Sequence, residues 1–173
     1  MTMQTGNDLF VRELAELHDA EQTMLELLAQ EIRECGNEEQ ARSAFSGFER
    51  DTRKQVQNLE RCLQTTGRPQ GKAESYAIRG LKQQHETFMK EKPSTEVTVL
   101  FDLGEINKMT HYAIAAYAGL VEQAKLLDQP EVLRLLQENQ SQEEAIGRQI
   151  QQLSQPLRKR WLQQPAGATA GRA

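Results

Sequence analysis

Residues 131–153 read EVLRLLQENQSQEEAIGRQIQQL. Val132, Leu136, Ile146, Ile150 and Leu153 recur at the spacing that places side chains on one face of an α-helix. Asn139 and Glu143 fall on the same stripe, near its middle. The core stripe of an amphipathic helix is ordinarily apolar throughout. The segment therefore predicts a long helix and a polar group in the centre of whatever it packs into. Asp128 and Pro130 start this helix, where a proline sacrifices no hydrogen bond. "PLRKRW" (156–161) is read as its extension, its basic residues complementing the C-terminal end of the helix dipole.

The same periodicity recurs upstream. Asn7 is the expected cap of a first helix running to about Glu34, with Phe10, Leu14, Leu17, Met24, Leu28 and Ile32 on one face. "CGN" (35–37) ends it, and Asn37 with Gln40 offers a capping box for a second helix to about Thr65, whose stripe holds Phe45, Phe48, Leu59 and Leu63. "GRPQGKAE" (67–74) reads as a loop, followed by a short helix over roughly 75–91 that "KPS" (92–94) ends. The third long helix covers about Thr95 to Leu127, with Leu103, Ile106, Ala113, Tyr117, Leu120 and Ala124 as its stripe. Four long helices imply a four-helix bundle. The connection over 66–95 is long enough to cross the bundle's full length, which favours a ferritin-like crossover carrying a short extra helix over an up-down meander. The expected organisation is one helical domain over 1–162 and a small, polar, disordered tail over 163–173.

Composition agrees. Leu, Ala, Gln, Glu, Lys and Arg dominate, aromatics are 5%, and only five prolines occur among 173 residues. A net charge of −4 argues against a nucleic-acid surface. No apolar run approaches the roughly 20 residues that cross a bilayer, and the N-terminal stretch lacks a secretory pattern. Cys35 and Cys62 fall near the ends of successive helices. In a hairpin they sit at opposite ends of the bundle, about 42 Å apart for a helix of about 28 residues, so a disulfide between them is excluded. Free thiols and no signal give a cytoplasmic expectation.

The polar interruptions align. The first stripe contains Glu21, the second Thr52 and Gln55 with Asp51 at its edge, the third Thr110, and the fourth Asn139 and Glu143. Positions 21, 51, 110 and 143 lie near their helix midpoints, which share a level in an antiparallel bundle. Buried carboxylates need partners, and metal ions are one solution. Di-metal bundles use a Glu from each of two helices and Glu-x-x-His from the other two. Here the residues three beyond Asp51 and Glu143 are Lys54 and Ile146. His18, His85 and His111 are not expected on the core faces at this level. A hydrogen-bonded network is therefore favoured over an intact metal pair, with a carboxyl kept protonated by burial or an inward-bent Lys54 as its compensation.

In these stretches the chain resembles the YciE/YciF family of ferritin-like bacterial proteins. The resemblance is carried by "LFVRELAELHDAEQTMLELL" (9–28), "FERDTRKQVQNLE" (48–60), "HYAIAAYAGLVEQAKLL" (111–127) and the quoted 131–153 segment, in order and with matching spacing. It implies a di-metal layer and an association with bacterial stress responses. Of the residues it implies as ligands, Glu21, Asp51, Glu143 and Glu144 are candidates here. Where the family has Glu-His-Tyr-Glu this chain has Thr110, His111, Tyr112 and Ala113, and Phe48 stands for a family histidine. The expectation is a stress-associated, non-enzymatic homodimer with a degraded metal site and no resident cofactor, iron or manganese being the ions a surviving site would take. Two alternatives stand beside it: a di-metal carboxylate oxidase or peroxide scavenger, and a helical scaffold for a protein partner.

Overall fold

The computed structural model describes residues 3–66 and 73–162. Five helices follow in order: α1 (Gly6–Glu34), α2 (Glu39–Thr65), α3 (Tyr76–Met89), α4 (Thr95–Leu126) and α5 (Pro130–Leu162). Most of the expected 67–74 loop, and the expected tail over 163–173, lie outside the described residues.

Side-chain pairs fix the helix directions. Between α1 and α4, Glu13 meets Gln123 and Glu21 meets Tyr117. Between α2 and α5, Asn58 meets Asn139 while Glu38 meets Arg160. Each pair of helices is thus antiparallel. The short turns make α1–α2 and α4–α5 antiparallel hairpins as well. It follows that α2 and α4 run parallel, and the chain between them must travel the length of the bundle, the ferritin-like crossover. Within that connection α3 lies along α1 and α4. Its start is held by Asp19, which accepts from the Ser75 backbone N–H at 2.9 Å and pairs with Arg79 at 2.9 Å. Lys82 pairs with Glu26 at 2.7 Å, and Phe88 stacks on Phe101 at 3.8 Å between ring centroids.

The core is built from the expected stripes. Phe10, Leu14, Phe45, Phe48, Leu59, Leu103, Ala113, Tyr117, Val132, Leu136 and Ile150 are all buried. The helix starts differ from the sequence reading. Thr5, not Asn7, caps α1: its hydroxyl accepts from the Asp8 N–H at 3.1 Å, and the Asp8 carboxylate accepts from the Thr5 N–H at 2.9 Å. Two donors satisfied reciprocally outweigh the single bond Asn7 could offer. Asn37 does not cap α2, because the chain is still turning there. Glu38 N–H donates to the Cys35 carbonyl and Glu39 N–H to that of Asn37. Gly36 sits at φ +53°, and a Cβ there would stand 2.9 Å from Thr95 Cγ2, so both its conformation and its space require glycine. α5 continues through Pro156 as far as Leu162. Cys35 and Cys62 are free and buried, and burial pushes both thiols up to about 12. Among the described residues no helix is long and apolar enough to cross a membrane.

Candidate functional site: two buried polar layers

The aligned stripes deliver a polar layer at mid-bundle, and one hydrogen-bonded string runs through all four long helices. Tyr117 of α4 donates its hydroxyl proton to Glu21 Oε1 of α1 at 2.8 Å. The same hydroxyl accepts from Asn139 Nδ2 of α5 at 3.1 Å. Asn139 also donates to the Gln55 carbonyl at 3.1 Å, and its Oδ1 accepts from Asn58 Nδ2 of α2 at 2.7 Å. Glu143 lies beside this string, its carboxylate within reach of the Gln55 and Thr110 side chains. Glu21, Gln55, Tyr117, Asn139 and Glu143 are all at most 2% exposed.

Burial sets the protonation. It pushes Glu21 well above the usual carboxylate range, the Glu143 charge adds to this, and the Tyr117 hydrogen bond only partly opposes it. Burial likewise raises Glu143 from 4.5 to about 7. Two acids so placed cannot both ionise cheaply. Tyr117 stays a neutral donor, its hydroxyl raised by burial and by both carboxylates.

The expected site residues separate at this layer. Glu21 and Glu143 come together with Thr110 beside Glu143, and Ala113 and Phe48 are buried. Asp51 and Glu144 are exposed, each one residue away from the inward position on its helix. Lys54 does not bend inward; it pairs with Glu138 on the surface, holding that carboxyl below its ordinary value. No histidine reaches the layer: His111 is exposed, and His18 faces Glu60 at 3.6 Å. Two carboxylates without an imidazole do not fit a di-metal pair, which takes roughly four carboxylates and two histidines in such bundles. Asn139 and Tyr117 occupy the interior in their place.

A second polar layer was not foreseen. Near the C-terminal end of α1, Glu31 faces His85 of α3 and Asp102 of α4, one ligand-type atom from each lying within 4.8 Å of the others. Glu34 and Glu105 flank them. Glu31, His85 and Asp102 are fully buried, and Glu105 is 1% exposed. Burial, then the charges of Asp102, Glu34 and Glu105, push Glu31 well up; burial also raises Asp102, against the His85 contact. The signal was available. Glu31 continues the 17, 21, 24, 28 stripe, and His85 lies two turns beyond Ile78 on the buried face of α3.

Residues 5–162 match the family described as "Domain of unknown function (DUF892)". The chain is 25% identical over 146 residues to Protein YciF of Escherichia coli K12, covering 84% of this chain and 87% of that protein. Its fold is similar to the crystal structure of the E. coli stress protein YciF, with TM-score 0.83, 23% identity, and coverage of 91% of this chain and 99% of the other. It is also similar to YcfI, described as a putative structural protein from Rhodopseudomonas palustris, with TM-score 0.79 and 24% identity over 86% of this chain and 94% of that one.

Proposed function

The chain belongs to the DUF892 family, the YciE/YciF family of ferritin-like proteins, and from that premise we propose that it is a stress-associated, non-enzymatic member whose di-metal centre has become a hydrogen-bonded clamp. The observation that carries this reading is the string Glu21–Tyr117–Asn139–Asn58, in which hydrogen bonds between protein groups join all four long helices. Where family acids would supply ligands, Thr110 and Ala113 offer a hydroxyl and a methyl group, and Phe48 offers an apolar ring in place of an imidazole. What remains can hold a proton between two acids and fix the register of the helices. Relatives described as a stress protein and as a putative structural protein support a role exercised through the folded scaffold.

The protein acts in this reading as a cytoplasmic homodimer, so light scattering should give a mass near twice 19.7 kDa; a monomer mass at micromolar concentration contradicts the dimer. The clamp itself is tested by elemental analysis after aerobic iron loading of wild type and Glu143→Gln. Iron content should be the same in both proteins. Two irons per wild-type chain, lost in the variant, would favour the di-metal oxidase reading instead.

A further inference from the structure

The layer at the end of α1 differs from the central one in that two of its acids, Glu31 and Asp102, have no hydrogen bond on either carboxylate oxygen among the described residues. Both carboxylate oxygens of Glu31 and both of Asp102 are without hydrogen bonds among the described residues, as are Glu105 Oε2 and Glu34 Oε2. His85 Nε2 stands 3.0 Å from Glu34 Oε2 and 3.2 Å from Asp102 Oδ1, and this one nitrogen can serve at most one of the two acids. Such separations are those of neighbouring ligands on one ion. Atoms about 2.1 Å from a metal stand about 3.0 Å apart at a right angle and about 3.4 Å apart at the tetrahedral angle.

Charge points the same way. Four carboxylates (Glu31, Glu34, Asp102 and Glu105) face one another here. Lys108 pairs with Glu105 from the surface, and His85 can add at most one further positive charge. With all four ionised, two negative charges remain for a divalent cation to neutralise. Arg42, the other nearby cation, is exposed and directed to the Gly36 carbonyl. A buried histidine–carboxylate pair alone would satisfy one acid and leave Glu31 bare, an expensive arrangement.

We propose that Glu31, His85 and Asp102, closed by Glu34 or Glu105, bind one divalent first-row transition-metal ion that ties α3 to α1 and α4. One imidazole among carboxylates selects Zn²⁺, Mn²⁺ or Fe²⁺ over Mg²⁺ and Ca²⁺, which take oxygen ligands. The three central ligands are fully buried, so no coordination position opens to a substrate, and the ion is structural. Its ligands come from three helices, one of them the crossover helix, whose other ties among the described residues include the buried Ile78, the surface ion pairs and the Phe88–Phe101 stack. The site is independent of the central clamp: ten residues along α1 separate Glu31 from Glu21, about 15 Å of helix.

The test uses the full chain, stripped with a chelator and kept reduced, titrated with Zn²⁺ by calorimetry. Wild type should take up one ion per chain with Kd of roughly 10 μM or tighter. Zinc a hundredfold above Kd should raise the folding equilibrium constant about 100-fold. Glu31→Gln, matched in size, should fold without zinc and weaken binding by at least about 100-fold; His85→Gln should do the same, and millimolar Mg²⁺ should not compete. Glu143→Gln should bind zinc as wild type does. Absence of saturable uptake overturns the proposal. So does uptake unchanged in Glu31→Gln, which marks an adventitious ion only, or equal competition by Mg²⁺. Uptake lost in Glu143→Gln but kept in Glu31→Gln would move the metal to the centre and overturn the clamp as well.

Discussion

Glu143→Gln replaces a buried acid by a side chain of the same size that cannot ionise. Burial, and secondarily the Asp51 charge, raise the Glu143 carboxyl from 4.5 to about 7, against the opposing pull of Gln55 and Thr110. The folded chain therefore holds this proton more tightly than the unfolded chain does. The stability gained is fully present below about pH 4.5 and is lost as pH rises through about 7. At about 1.4 kcal/mol per pH unit, the whole window is worth roughly 3 kcal/mol. Glutamine keeps the carbonyl acceptor for Thr110 and Gln55 and never ionises. The variant's stability relative to wild type should thus improve by about 2–3 kcal/mol between pH 5 and pH 8. Urea unfolding followed by far-UV circular dichroism at several pH values, with chelator present, measures this directly. Parallel pH profiles, or a variant that loses ground as pH rises, would refute the argument that Glu143 is buried at the cost of its charge.

Three further substitutions probe the same frame. Tyr117→Phe removes the donor to Glu21 and the acceptor for Asn139, and should cost about 1–3 kcal/mol in denaturant unfolding without changing helix content; no loss would mean the string is idle. Gly36→Ala forces a side chain into positive φ and against Thr95, and should lower stability by about 1–3 kcal/mol by thermal melting; an unchanged melting temperature would show that the turn does not need its geometry. Phe48→His combined with Thr110→Glu and Ala113→Glu should raise iron affinity, read by equilibrium dialysis, if the centre has decayed from a metal site; an unchanged affinity contradicts that origin.

The helices were legible because each carries one sustained stripe, and the crossover because the 66–95 connection is too long for a hairpin. The central layer was partly legible for the same reason: Glu21, Thr110, Asn139 and Glu143 interrupt stripes at matching levels, and all are buried. Asp51 and Glu144 were not separable from their inward neighbours, since one residue turns a helix by about 100° and stripe edges are soft. The second layer was missed for two physical reasons. α4 packs against α1, α3 and α5, so its buried arc is broad: Asp102, one turn before Ile106, and Glu105 both lie inside it beside Leu103. α3 was read as a connection, yet it buries Ile78 and His85 against its neighbours. Tyr117 was placed in the core as an apolar stripe residue; only the structure shows its hydroxyl joining the acid of α1 to the amide of α5.

The clamp is tested most directly by anomalous scattering at the iron edge from crystals grown after aerobic iron loading. No anomalous peak is expected between Glu21 and Glu143, where the Tyr117 hydroxyl hydrogen-bonds both Glu21 and Asn139. A pair of peaks about 3.5–4 Å apart, bridged by Glu21 and Glu143, would contradict it.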